Sequence, residues 1–345
     1  MKFETWVSRL RAANTRRQYR ANVLRFAHHY NVEPDETLDW SEDEIEKRID
    51  EFKYHLLSGG MSGRSVISVF TGLRRWFKDH KKRIEVDLRD MDTGRTYLDY
   101  IPSREDVQHL LDDAKLHHMV AVALMAFSGL RPVDAVNLRY ENIKASFEAG
   151  DEVLTIVIKQ RKTRDWYFTF LGPQGVRYLR EHLGMRETLT DDSYILWDKK
   201  ISAGSLCKGL SRLIWRTKGR HPTGEGFRVF RPYGLRKYFR RAISRLGESV
   251  AEFLMGHREG VESLVATYSG LRDMDPHAIQ ELKKEYIKLL PDLETEITDV
   301  TLKAQIEEKE KRIRSYEERM DEIQEDQKRL QRFLEKALEE RDKEG

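Results

Sequence analysis

The chain has 345 residues, 39% hydrophobic and 35% charged, enough for two packed cores and an appendage with heavily ionised surfaces. Its formal net charge is only +3, but the segment from Thr301 onward holds 12 basic and 14 acidic residues, so the rest carries 50 basic against 45 acidic, a balance that favours a polyanionic partner without identifying one. A single cysteine, Cys207, excludes an internal disulfide or a thiolate zinc cluster and fits a reducing cytoplasm. Met1–Leu10 has no apolar run for a signal peptide, and the longest apolar run, Met119–Phe127, is too short to span a bilayer, so a soluble cytoplasmic protein with no membrane partner is expected.

Residues 1–88 read as all-helical. Tyr19, Val23, Phe26, Ala27 and Tyr30 share one face of a helix capped by Asn14 or Thr15. Ile45, Ile49, Phe52 and Leu56 mark a second, and Val66, Phe70, Leu73 and Phe77 a third after the Gly59-Gly60 break. Arg16, Arg17, Arg20, Arg64, Arg74, Arg75, Lys81, Lys82 and Arg83 cluster near two helix starts and one helix end. Each alone reads as solvated surface; the set suits phosphate contact. Residues 89–100 lack a period and form a linker. Ser103 then caps a helix with Asp106 at its third position, and residues 119–127 are apolar on every side, as in a helix buried in a large core.

The β signal is confined to Val153–Ile158 and Trp166–Phe170, β-branched and aromatic runs around a polar turn from Lys159 to Asp165. Helical patterns resume at Gln174, at Ser205–Lys218 and at Tyr233–Leu246, with a Gly/Pro-rich loop at Gly219–Gly226. After Pro291, which closes a body beginning at residue 101, Ile306, Ile313, Met320, Gln327 and Leu334 recur every seven residues. Leu302, Lys309, Tyr316, Ile323, Leu330 and Ala337 form the companion series. This predicts a coiled coil in 292–345 of open strand number; a single charged helix held by i,i+4 pairs is the alternative.

Several chemistries are absent: no P-loop, no H-E-x-x-H, no thiolate pair and no G-x-S-x-G elbow, and the adjacent histidines His28-His29 and His117-His118 point to different helix faces. What remains is Arg131 in SGLRPVDAVNLR, Lys162 in the turn KQRKTRDW, Arg236 in YGLRKYF, His257 in FLMGH and Tyr268 in VATYSG. Two guanidiniums can bind the nonbridging oxygens of a phosphodiester in fork geometry, a histidine N–H adds a donor, and a phenol can attack phosphorus.

In order and context these residues resemble the tyrosine recombinase (phage integrase-like) family, over about residues 10–275. The resemblance implies a mainly α fold with a small β-sheet: an N-terminal helical core-binding (SAM-like) domain and an α+β catalytic domain, here followed by the coiled coil. It implies cutting and rejoining of duplex DNA through a 3′-phosphotyrosyl link on Tyr268, with Lys162 protonating the 5′-oxygen and neither metal nor ATP required. It further implies dimers on one site, tetramers in synapsis, a nucleoid-associated location, a mobile-element origin, and docking of Asp275–Leu290 onto a neighbouring subunit.

Two departures from the family pattern stand out. Tyr233 occupies the place of a His or Lys three residues before Arg236; it can donate to phosphate, or it packs at a helix start, and phenols are poor bases near neutral pH. His257 and Tyr268 are eleven residues apart, slightly longer than usual, which leaves Tyr238 and Tyr286 as fallback nucleophiles. The alternatives are a type IB-like topoisomerase and a DNA-binding architectural protein whose site has decayed.

Overall fold

A computed structural model describes residues 2–89, 91–94, 98–159, 166–218, 228–257 and 275–344. The chain divides into two compact units, Met1–Leu98 and Asp99–Gly345. No helix among the described residues is long and apolar enough to cross a membrane.

The first unit is four helices, α1 (Phe3–Arg9), α2 (Ala13–His29), α3 (Glu42–Ser58) and α4 (Gly63–Asp79). Ser41 and Ser62 cap α3 and α4 by accepting the N–H of Glu44 and Ser65. Phe26, Phe52, Phe70, Trp76 and Phe77 fill the centre. The close approach of α2 to α4 needs Gly72, where a Cβ would lie 2.9 Å from Asn22 Nδ2. Two details differ from the sequence reading. Helix α2 begins at Ala13, one to two residues before the expected caps, with no side-chain cap. Helix α1 was not anticipated: seven residues lack the length for a periodic signal, and tertiary contacts hold it. Its Trp6 meets Trp76 edge-on at 4.9 Å and donates Nε1–H to Asp79 at 2.9 Å.

In the second unit, Ser103 and Asp106 form the predicted capping box at the start of α5 (Arg104–Asp112). Helix α6 (Leu116–Ala126) is the centre of the body, buried from Val120 to Ala126. The short helices α7 (Pro132–Ala135) and α8 (Lys144–Glu148) lead to an antiparallel hairpin, Leu154–Lys159 with Trp166–Leu171, in the register Leu154↔Leu171 to Lys159↔Trp166. Then come α9 (Pro173–Gly184), α10 (Ala203–Lys218), α11 (Tyr233–Ile243) and α12 (Glu248–Leu254). Helices α9 and α11 both pack on α6, so a helix apolar all round finds partners on more than one side.

The segment expected to dock on a neighbour packs into the chain's own core instead. Leu282 and Tyr286 of helix Pro276–Lys288 are fully buried, as are Leu290 and Leu293 beyond it. The apolar stripe has a cis surface to cover, so no second subunit is required to bury it. The packed body also runs past Pro291. Gln174, buried on α9, donates Nε2–H to Tyr178 Oη (2.9 Å) and Thr295 Oγ1 (2.8 Å), and its Oε1 accepts the N–H groups of Thr295 (2.8 Å) and Glu296 (3.1 Å). Thr301 and Ala304 are buried too, and one helix, Asp299–Glu344, carries the rest.

Glu294 lies against the first turn of α9, where its Oε1 accepts the N–H of Gln174 at 2.9 Å, while Oε2 has no partner among the described residues. Burial outweighs the backbone donors and pushes its carboxyl up to about 8 from 4.5. A raised pKa means that the folded state holds the proton more tightly, so this stability is complete below pH 4.5 and is lost as pH rises toward 8. Glu294→Gln keeps the acceptor and cannot ionise. Thermal melts of the two proteins should coincide in acid and diverge in the variant's favour as pH climbs through that window; a pH-independent difference would contradict the assignment.

Candidate active site

Helix α6 ends inside the core, so its last carbonyls need partners that water cannot supply. Three successive carbonyls at this end each accept a hydrogen bond from a different element. Tyr286 Oη donates to Phe127 O at 2.9 Å, Thr169 Oγ1 of the hairpin donates to Ser128 O at 2.8 Å, and Arg236 of α11 donates to Gly129 O. Gly129 has φ +65°, and a Cβ there would lie 2.3 Å from Phe239 Cδ1, so only glycine fits the turn. The turn delivers Arg131 to the N-cap of α7, with Pro132 at its first position.

Helix α12 supplies the opposing wall. It ends in a Schellman motif: His257 N–H donates to Glu252 O and Gly256 N–H to Phe253 O, both at 2.7 Å, with Gly256 at φ +66°. This reversal folds His257 back over its own helix, where Nδ1 pairs with the Glu252 carboxylate. It also turns two adjacent carbonyls toward the arginines. Arg236 donates to Met255 O at 2.6 Å and Arg131 to Gly256 O at 3.5 Å, and His257 Nε2 lies 3.0 Å from the same Arg236 nitrogen. Arg131, Arg236 and His257, widely spaced in sequence, therefore meet at one place.

Arg236 has no exposed surface, and burial, then the charge of Arg131, pushes its pKa down. Asp134 offsets part of that repulsion. It lies 3.6 Å from Arg131 and accepts from Tyr167 Oη at 3.4 Å; burial raises its carboxyl and the two guanidiniums oppose the rise. The Arg236 Nε has no partner among the described residues. The cluster thus concentrates positive charge at a mostly buried position, which suits an anion. A cleft of about 400 Å³ opens beside Asp134, with Arg139, Lys159, Trp166 and Lys200 among its lining residues.

The remaining candidates divide clearly. Tyr233, the first residue of α11, is 47% exposed and sits within electrostatic reach of Arg236, so it is not a packing residue. Tyr238 and Tyr286 are structural: both are buried and donate to backbone carbonyls, Tyr238 to Leu293 O at 2.9 Å, and burial pushes Tyr238 up to about 12 and raises Tyr286 well above the usual phenol value. Lys162 and Tyr268 lie outside the described residues. In the first unit Arg20 pairs with Glu4, Arg75 with Asp79, and Arg64, Arg74 and Lys82 donate to Thr93, Val86 and Trp40 carbonyls. Arg16, Arg17, Lys81 and Arg83 show no side-chain bond among the described residues.

Asp134 and Glu252 are site residues that sequence reasoning missed. The signal for Asp134 was its i+3 spacing from Arg131; for Glu252 it was the Gly-His pair five residues on, which a Schellman turn brings back over it.

The same arrangement of elements occurs in solved structures. A lambda integrase (75–356) dimer bound to a COC′ core site superposes with a TM-score of 0.54 at 16% identity, over 79% of this chain and 94% of that one. A lambda integrase tetramer bound to a Holliday junction gives 0.53 at 15% identity, over 80% and 74%. XerH recombinase on a palindromic difH substrate gives 0.52 at 14% identity, over 81% and 83%. The fold is that of the tyrosine recombinases. No protein-family model and no curated protein matches the chain in sequence. The tyrosine-recombinase fold is therefore carried here by a sequence only 14–16% identical to these structures.

Removing the Glu252 carboxylate should free the His257 ring and leave Arg240, which Glu252 contacts at 2.9 Å, with Glu248 as its carboxylate partner. Glu252→Ala is expected to cost about 1–2 kcal/mol in urea unfolding, and Glu252→Gln, which keeps an acceptor, less. Equal losses in the two variants would show that the side chain fills space and does not orient the ring.

Proposed function

We propose that this chain is a site-specific DNA recombinase or integrase that cuts and rejoins duplex DNA through a 3′-phosphotyrosyl intermediate. The observation that carries this reading is the meeting of Arg131, Arg236 and His257 around one mostly buried point. A phosphodiester repels nucleophiles, and its pentacoordinate transition state gathers more negative charge. Two preorganised guanidiniums meet that charge with no reorganisation at the moment of reaction. With Nδ1–H donated to Glu252, the imidazolium form of His257 donates Nε2–H to a phosphate oxygen in place of the contact with Arg236.

In this reading Tyr268 attacks phosphorus and gives up its phenolic proton to solvent, the P–O bond to the 5′-oxygen breaks, and Lys162 gives that oxygen its proton. The phosphotyrosine conserves the bond energy, so resealing needs no ATP, and the guanidiniums supply the charge that metal ions supply elsewhere. Exposed Tyr233 can donate to the phosphate beside Arg236. Duplex DNA is the partner, contacted in the first unit by cations such as Arg16, Arg17, Lys81 and Arg83. Assembly as dimers and tetramers follows the lambda integrase complexes.

A nicked suicide duplex carrying the cognate site, selected from random sequence, tests this directly. The full chain should become covalently attached at a 3′ end, and Tyr268→Phe should abolish the adduct. His257→Ala should slow adduct formation by on the order of 10²-fold, the usual cost of one donor to a developing oxyanion. Binding without any adduct would leave an architectural protein. Relaxation of supercoiled plasmid without exchange between two sites would make it a type IB-like topoisomerase.

A further inference from the structure

The helix Asp299–Glu344 has 46 residues, so it extends roughly 69 Å at 1.5 Å per residue. Its first turn is fixed to the second unit: Thr301 and Ala304 are buried, and Thr298 and Thr301 cap one another. From Ile306 to Lys328 every side chain is exposed. That stretch includes an apolar stripe, with Ile313 at 55%, Met320 at 60% and Ile323 at 57% exposed. A solitary charged helix needs i,i+4 pairs, such as Glu310 with Arg314, but has no use for large aliphatic residues repeating every seven positions. Leaving such residues in water forgoes roughly 1.5–3 kcal/mol each.

We propose that this helix pairs with the same helix of a second copy as a parallel, in-register, two-stranded coiled coil. Ile306, Ile313, Met320 and Gln327 occupy one seam position and Leu302, Lys309, Tyr316 and Ile323 the other. Branched Ile at the first position, with Leu among the residues of the second, favours two strands. Charge and polarity select the orientation. Parallel pairing places Arg312 beside Glu317 of the second copy, twice by symmetry, sets Gln327 against Gln327, and puts Glu310 next to the seam lysine Lys309. The fully overlapped antiparallel register sets Gln327 against Tyr316 and Lys309 against position 334, a leucine, and so buries polar groups against apolar ones. Because the start of the helix is fixed to the body, parallel pairing roots two active-site units at the same end of one rod and raises their effective concentration for one another.

The test uses the full chain without DNA, so its outcome is separate from the recombinase reading. Sedimentation equilibrium should give a dimer mass for the wild type and a monomer mass for Ile313→Glu/Ile323→Glu, with unchanged tryptophan fluorescence because no tryptophan lies on this helix. Arg312→Glu should weaken the dimer and Arg312→Glu/Glu317→Arg should restore it. Gln327→Cys in a Cys207→Ser background should oxidise to a disulfide-linked dimer. A monomeric wild type, a trimer or tetramer mass, or a dimer untouched by the double glutamate variant would overturn the proposal. So would a dimer that fails to cross-link at position 327.

Discussion

The end of helix α6 is the constraint on which the second unit depends. A helix that terminates in a core exposes carbonyls to a medium without water, and each unpaired one costs about 1–3 kcal/mol. Here Phe127, Ser128 and Gly129 are satisfied in turn by the C-terminal helix Pro276–Lys288, the hairpin and α11. The three donors are side chains from elements distant in sequence, so the elements converge on the turn. That turn launches Arg131, and one of its donors is Arg236. The solution to a packing problem therefore also sets the separation of the two arginines.

The opposing wall follows similar logic on a smaller scale. The Schellman reversal after α12 satisfies the helix's own carbonyls, and in doing so presents Met255 O and Gly256 O to the guanidiniums and brings His257 over Glu252. Two like charges near one another need negative potential nearby. Carbonyl dipoles at two helix ends, together with Asp134, provide it without filling the position where a phosphate would sit.

Much of this was legible in the sequence because its cues are local. Gly-Leu-Arg and Met-Gly-His announce turns that need glycine, and Gly129 and Gly256 adopt the positive φ those turns require. The hairpin follows from two β-branched and aromatic runs around a polar turn, and the capping box at Ser103 from side-chain reach. The illegible parts are tertiary. Asp134 and Glu252 look like ordinary acidic residues on helices, and only the fold shows what faces them. Helix α1 is too short and too poorly capped to announce itself, and two tryptophans from separate helices hold it. The stripe on Pro276–Lys288 was expected to meet a neighbouring subunit and is buried in its own chain, because a pattern of apolar residues does not say whose surface it covers.

Gln174 gives the C-terminal segment a further consequence. Its amide stands in for a neighbouring strand, taking the backbone N–H groups of Thr295 and Glu296 while serving two hydroxyls. Cutting the chain at Pro291, where composition suggests that the body ends, would strip a buried amide of most of its partners and uncover the head of α9. The smallest self-sufficient piece of the second unit therefore extends at least to Ala304, and the long helix is an outgrowth of that body, with no hinge between them.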